Sequence, residues 1–251
     1  MDKLAQLGAD IGDLLTRFGG SYLNGIRNTL VLALIATFLG CVIGLVCGIL
    51  NTIPYTGNDP LPKRFLLRLI RVLVRAYVEI FRGTPMVLQA VFIYYGLPYF
   101  TNNAMRFTNV WTAAILVVSI NTGAYMAESV RGGIISIDPG QTEGAKAIGM
   151  THFQTMLYVI IPQAFRTLIP QIGNAFVSAI KDTSVLNVIT VSELYFAGRT
   201  ACGVYFRYFE TYFIIALIYL ILTFVMSRLL KFLERKMDGS RNYELLEEGE
   251  V

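Results

Sequence analysis

The chain has 251 residues, 55% of them hydrophobic and only 15% charged, where a soluble domain carries about a quarter charged residues; a water-soluble globular class is therefore excluded first. The net charge of +4 would suit nucleic acid as a partner, but the basic residues gather beside apolar runs, which is the pattern of a membrane flank. The expected class is an all-α membrane protein with lipid around it and no nucleic acid.

Residues 1–20 contain Asp2, Asp10 and Asp13 and lack the continuous apolar core of a cleavable signal. Leu4, Leu7, Ile11, Leu14, Leu15 and Phe18 recur at helical spacing, which predicts an amphipathic interfacial helix over 1–20. A frayed terminus is the alternative. Residues 28–58 carry no charge and stay apolar to Leu50, enough for a first span of ~20 residues. Within it Gly40, Gly44 and Gly48 form a packing face, either inside the subunit or between subunits. Cys41 and Cys47 lie in the same apolar run and act as small hydrophobes, so with Cys202 they imply no disulfide framework.

A basic cluster follows: Lys63, Arg64, Arg68, Arg71 and Arg75. The second span is expected over 83–105, kinked at Pro85. Glu79 and Arg82 stand three apart, the spacing of a local ion pair. Gln89 either lines a path or bonds a neighbouring helix, and Tyr94, Tyr95 and Tyr99 read as interface anchors. A third span covers 107–127 and a fourth 167–192, interrupted by Lys181 and Asp182; a fifth covers 211–227, extended by Tyr208 and Phe209. A second basic cluster then follows, from Arg228 through Lys231, Arg235, Lys236 and Arg241. Positive charge marks the cytoplasmic side. Five spans put both basic clusters inside, the amino terminus outside and residues 129–161 inside. The domains expected are the helix at 1–20, a transmembrane domain over 21–236 with a cytoplasmic loop at 136–162, and a flexible cytoplasmic tail at 237–251.

The loop is too polar for lipid and too patterned for slack chain. Asp138 is a good N-cap, with Pro139 at the first helical position. Gly149 can end that helix in a left-handed conformation. Thr151 with Gln154 makes a capping-box pattern for a second helix. On that helix Met150, Phe153, Leu157 and Ile160 form an apolar stripe, which suits a partner surface or an intramolecular lid equally well. The one histidine, His152, lies here, so no multi-histidine metal site is available.

Glu143-Gly144-Ala145, then three residues, Gly149, nine residues and Val159-Ile160-Ile161-Pro162 resemble the "EAA" loop of ABC importer permeases. That loop runs Glu-Ala-Ala, three residues, Gly, nine residues, Ile, any residue, Leu, Pro. The departures at Gly144, Val159 and Ile161 are small or aliphatic. Four further stretches are similar to the polar amino-acid uptake subfamily, of histidine, glutamine and arginine type: "NGIRNTLVLAL" at 24–34, "VEIFRGTPMVLQAVFIYYGLP" at 78–98, "NTGAYMAESVRGGIISIDPGQTEGAKAIGM" at 121–150 and "IKDTSVLNVITVSEL" at 180–194.

The resemblance implies the five-helix core of type I importers in the plasma membrane. Two permease subunits, identical or paralogous, line the path; ABC ATPase subunits sit beneath, and an extracellular or periplasmic binding protein delivers the amino acid. Coupling to the ATPase would run through Glu143, Ala145, Gly149, Thr151, His152 and Phe153. The chain has no Gly-x-x-x-x-Gly-Lys-Ser/Thr loop, so ATP and Mg are expected on the partner. No cofactor and no catalytic residue is expected on this chain. For the substrate the resemblance points to Asn121, Glu128 and Asp182; Tyr125 joins them, since Asn121, Tyr125 and Glu128 share one helix face, and so does Thr122, from the Thr122-Gly123-Ala124 run that allows close backbone approach nearby. The alternative is structural pairing of Glu128 with Arg131 or Arg82 and of Asp182 with Lys181. Two other functions compete. A stand-alone secondary transporter would show internal repeats, and none is found. An intramembrane enzyme would need a nucleophile–base pair or a metal cluster, and a Glu128–Asp182 carboxylate pair is all the sequence offers.

Overall fold

No proline stands between residues 1 and 53 to stop a helix. In a computed structural model, which describes residues 2–55, 57 and 59–237, helix α1 runs unbroken over Asp2–Thr52. At about 1.5 Å per residue it is more than twice as long as a bilayer core of about 30 Å needs. The expected interfacial helix at 1–20 is therefore the first half of the first spanning helix. Part of its apolar face is covered by protein, since Leu14 and Tyr22 pack with Leu194, Ala197, Ala201 and Ile215, while Leu4 and Leu15 stay exposed. Charges fix the same contact, since Arg207 reaches Asp10 at 3.2 Å and Asp13 at 3.1 Å, and Arg17 donates to the Tyr205 hydroxyl at 3.0 Å.

The basic cluster after the first span is itself a helix, α2 (Leu61–Gly83). The second span then restarts beyond Thr84, whose backbone is extended, as α3 (Met86–Phe100), with a π-helical turn at Phe92–Gly96. The expected kink at Pro85 is thus a full break. Helix α4 (Val110–Ile135) continues two turns past the expected end of the third span. A short helix, α5 (Pro139–Ala147), leads to α6 (152–182), which is continuous through a π-helical turn at Met156–Ile160. Lys181 and Asp182 end α6 rather than interrupt a longer span, and a 3-10 helix over Thr183–Ile189 follows. Helix α7 (Leu194–Tyr205) was not foreseen, and α8 (Tyr208–Met237) closes the described chain. The expected tail, apart from Met237, and Arg241 lie outside the described residues. No strand occurs among the described residues. Three helices, α1, α4 and α8, are long and apolar enough to cross a membrane by composition alone.

The core forms where α1 lies parallel to α4. Gly40 and Gly48 face Thr122 and Val130, and a Cβ at either glycine would stand 2.7 and 2.5 Å from those Cβ atoms. The glycine stripe therefore packs inside the chain, where it lets two backbones approach. Around this contact Leu32, Ala36, Val117, Val118, Ile180 and Ile189 are fully buried. At one end, Glu193 is 0% exposed. Its carboxylate caps α7 by accepting from the Tyr195 and Phe196 N–H groups at 2.8 and 2.7 Å, and it accepts from the Tyr219 hydroxyl at 2.8 Å. Such full pairing is what a buried carboxylate requires.

Candidate functional site

The break between α2 and α3 leaves carbonyls at the end of α2 without helical partners. Side chains from further along supply them. The Gln89 amide nitrogen donates to the Phe81 carbonyl at 2.9 Å and to the Thr84 carbonyl at 2.9 Å. Asn121, on α4, donates to the Phe81 carbonyl at 3.2 Å and to Gln89 Oε1 at 3.0 Å. Gln89 thus bonds a neighbouring helix, and the donor side of Asn121 is committed to the break. Nearby, the Tyr77 hydroxyl donates to the Ile120 carbonyl at 2.6 Å. It comes this close because Gly123 has no side chain: a Cβ there would lie 2.7 Å from the Tyr77 oxygen.

The break opens on a cavity of about 720 Å³. Asn121, Thr122 and Tyr125 line it from α4, and Asp182 lines it from α6. The structure brings these four predicted residues together. It places the fifth elsewhere: Glu128 lines an adjoining cavity of about 730 Å³ and is ion-paired through both oxygens to Arg131. Arg82 borders both cavities, its guanidinium 5.4 Å from the Tyr125 ring centroid. Among the described residues it makes no ion pair with Glu79, contrary to the expectation from spacing. Sequence reasoning missed Gln171, Asn174 and Ser178, which also line the first cavity. With Asp182 they recur at intervals of three and four, a polar stripe on one face of α6 that was there to be read.

At the far end of the bundle stands the elbow of α5 and the start of α6. Asp138 caps α5 by accepting from the Gly140 N–H at 2.7 Å. Gly149 has φ +82°, and the Met150 N–H donates to the Ala145 carbonyl at 3.0 Å while the Gly149 N–H donates to the Lys146 carbonyl at 2.9 Å. That pair of bonds is a Schellman motif. The capping box is complete in both directions between Thr151 and Gln154. Of the residues expected to couple, Ala145 is buried, while Glu143, Gly149, Thr151, His152 and Phe153 are exposed. The expected apolar stripe splits. The π-helical turn changes the angular step, so Ile160 is buried while Phe153 is 72% exposed, joined by Ile148 at 79% and Tyr158 at 68%. An exposed apolar knob on a rigid, self-capped elbow suits a partner surface rather than an intramolecular lid.

Partial burial of the His152 ring, with Lys146 and Lys63 nearby, holds its imidazole below the usual histidine range. Among the described residues no group of His, Cys, Asp and Glu could hold a metal ion.

Residues 61–239 match the family described as binding-protein-dependent transport system inner membrane component. Among curated relatives, the glutamine transport system permease protein GlnP of Escherichia coli (strain K12) is 36% identical over 216 residues, 86% of this chain and 92% of that one. The L-cystine transport system permease protein TcyB of Bacillus subtilis (strain 168) is 34% identical, covering 85% of each chain. A crystal structure of an amino acid ABC transporter with histidines superposes with a TM-score of 0.76 at 34% identity, covering 88% of this chain and 96% of that one. An inward-facing MetNI methionine ABC transporter, 19% identical with a TM-score of 0.69, shares the fold. The chain belongs to the family of inner membrane components of binding-protein-dependent transport systems, and is a multi-pass membrane permease subunit.

Proposed function

We propose that this permease imports a polar amino acid by alternating access, driven by ABC ATPase subunits that dock on the elbow at 138–155. A second permease subunit completes the path, and an external binding protein delivers the cargo. The elbow, the connection at 53–60 and the end of α8 face the cytoplasm; the amino terminus, 101–109 and α7 face outward. ATP and Mg belong to the ATPase. This chain supplies two arrangements of its helices, and the ATPase biases their populations. Glu143, Gly149, Thr151, His152 and Phe153 form the docking knob, with Ala145 buried beneath.

The observation that carries this reading is the grouping of Asn121, Thr122, Tyr125 and Asp182 around one polar cavity inside an apolar bundle. Polar groups at such depth are expensive and face a path or a partner. In this reading Asp182 favours the substrate ammonium, and the Asn121 carbonyl oxygen, Thr122 and Tyr125 orient the rest. Glu128 is an ion-paired wall of the adjoining cavity and not a substrate ligand. The test is substrate-stimulated ATP hydrolysis in liposomes by the permease with its co-purified ATPase. Asp182→Asn should reduce stimulation roughly tenfold or more, the loss of one charge-assisted contact, with assembly intact. Glu128→Gln should reduce it less. Equal stimulation by Asp182→Asn and the unaltered protein would remove Asp182 from the pocket.

A further inference from the structure

Helix α2 has three sectors. Leu67 and Val74 are buried; Phe65, Leu69, Val72, Leu73 and Ile80 are exposed on the opposite side. Between them Arg64, Arg68, Arg71, Arg75 and Arg82 recur at intervals of four, three, four and seven, a strip along one face. The adjoining cavity of about 730 Å³, between the end of α1, α2 and α4, takes Arg71, Arg75 and Arg82 from this strip and Arg131 from α4. Its carboxylates are Glu79 and Glu128, so four guanidinium groups face two negative charges.

The balance is more uneven than the count. Glu128 is already paired with Arg131. Among the described residues Arg75 and Arg82 make no ion pair. Arg71 stacks on Tyr55, 4.4 Å from the ring centroid, and donates from one terminal nitrogen to the Ile53 carbonyl. Its Nε is buried with no partner. A buried donor without a partner is costly, and the exposed Arg75 and Arg82 open on the same cavity, free to meet an anion from outside it. Guanidinium forks match the planar, two-oxygen edge of carboxylate and phosphate.

We infer that this cavity is an acidic-lipid site, in which Arg71, Arg75 and Arg82 hold the phosphate of an inner-leaflet phospholipid. Only the word inner rests on the orientation proposed above. The exposed apolar sector of α2 gives the acyl chains of a lipid a surface beside the arginines, as basic pockets between membrane helices do for acidic headgroups.

The experiment uses the full chain with its co-purified ATPase and two probes. In nanodiscs of phosphatidylcholine doped with phosphatidylglycerol, native mass spectrometry reads the phosphatidylglycerol retained. In phosphatidylcholine alone, thermal unfolding compares potassium glutamate with potassium chloride at equal ionic strength. Retention that falls roughly tenfold in Arg75→Gln and Arg82→Gln, the loss of one charge-assisted contact each, but not in the control Arg228→Gln, which lies outside the cavity, identifies the lipid phosphate. Stabilisation by glutamate over chloride that both cavity variants lose, with no change in retained phosphatidylglycerol, would give the site to a soluble carboxylate and overturn the lipid. Arg75→Lys, which keeps the charge, should retain part of either effect and guards against simple misfolding. If neither probe separates the cavity variants from the control, the site does not exist. Neither readout measures transport, so failure here leaves the proposed function standing.

Discussion

Two of the places where the chain interrupts its helices beside a proline are held in opposite ways. At the elbow, Asp138-Pro139 opens α5 and the capping bonds are all made within a few residues: Asp138 with Gly140, Ala145 and Lys146 with Met150 and Gly149, and Thr151 with Gln154. At the break of the second span, Thr84-Pro85 opens α3 with no side-chain cap of its own. There the freed carbonyls of Phe81 and Thr84 rely on Gln89 and on Asn121, forty residues away from Phe81. The difference follows from the surroundings. An elbow in water can leave groups to solvent and needs only local rules, whereas irregular backbone at membrane depth persists only where protein satisfies it. One is a rigid knob; the other is a joint whose geometry depends on its neighbour.

The largest effect should come from cutting the joint. Gln89→Leu keeps the volume and leaves the Thr84 carbonyl and the Asn121 amide short of a partner. It should cost about 1–3 kcal/mol, read as a lowered melting temperature of the detergent-purified subunit. Asn121→Leu should cost a similar amount. Because the two side chains bond each other, the double variant should lose less than the two singles combined, with a coupling of about 0.5–3 kcal/mol. Strict additivity would mean that α4 does not hold the break, and the contrast with the elbow would fail.

At the elbow the effects should be smaller and of opposite sign at two nearby glycines. Gly149 has φ +82°, where an L side chain is strained, so Gly149→Ala should weaken the elbow by roughly 1–2 kcal/mol. Gly144 sits within α5 with nothing within 4 Å of where a methyl group would stand, so Gly144→Ala should gain up to about 1 kcal/mol of helix stability. Hydrogen exchange at the amides of 140–155 should slow for Gly144→Ala and quicken for Gly149→Ala. Equal responses at both positions would show that the backbone at 149 is not what fixes the elbow.

The same contrast explains what could be read from the chain alone. The N-cap at Asp138, the left-handed turn at Gly149 and the Thr151–Gln154 box were legible because each is a rule about residues close in sequence. Asn121 and Asp182 were named on family likeness and Tyr125 on helical spacing, with Thr122 from the small-residue run beside them, and their meeting at one cavity depends on α4 and α6 packing side by side. The pairing of Glu128 with Arg131 was one of the two alternatives their spacing offered, but its place in a separate cavity was not legible, because helical spacing puts it near the face of Asn121 while the bundle assigns successive turns of α4 to different cavities. The arginines of α2 were read as a membrane flank, since a charge count does not show that the helix carrying them turns into the bundle. The continuity of α1 was missed for a similar reason. A change from amphipathic to apolar pattern suggests a boundary, but without proline the backbone had no cause to stop.

The smallest prediction tests how far the elbow is a local unit. His152 is the chain's one histidine, so its imidazole signal can be followed by nuclear magnetic resonance without overlap from others. Its pKa is lowered first by burial, then by Lys146 from α5 and by Lys63 from α2. The unfolded value is about 6.5. Between the lowered value and about 6.5 the unfolded chain binds more protons than the folded one, so stability falls as the pH drops through that window and is indifferent to pH above it. The titration midpoint in the intact protein should therefore lie below about 6.5. Lys146→Gln should raise it more than Lys63→Gln, because the charge of Lys146 acts on the ring more strongly than that of Lys63. If Lys63→Gln raised it more, the elbow would be anchored to α2 as firmly as the break is anchored to α4. The two interruptions would then differ in chemistry but not in reach.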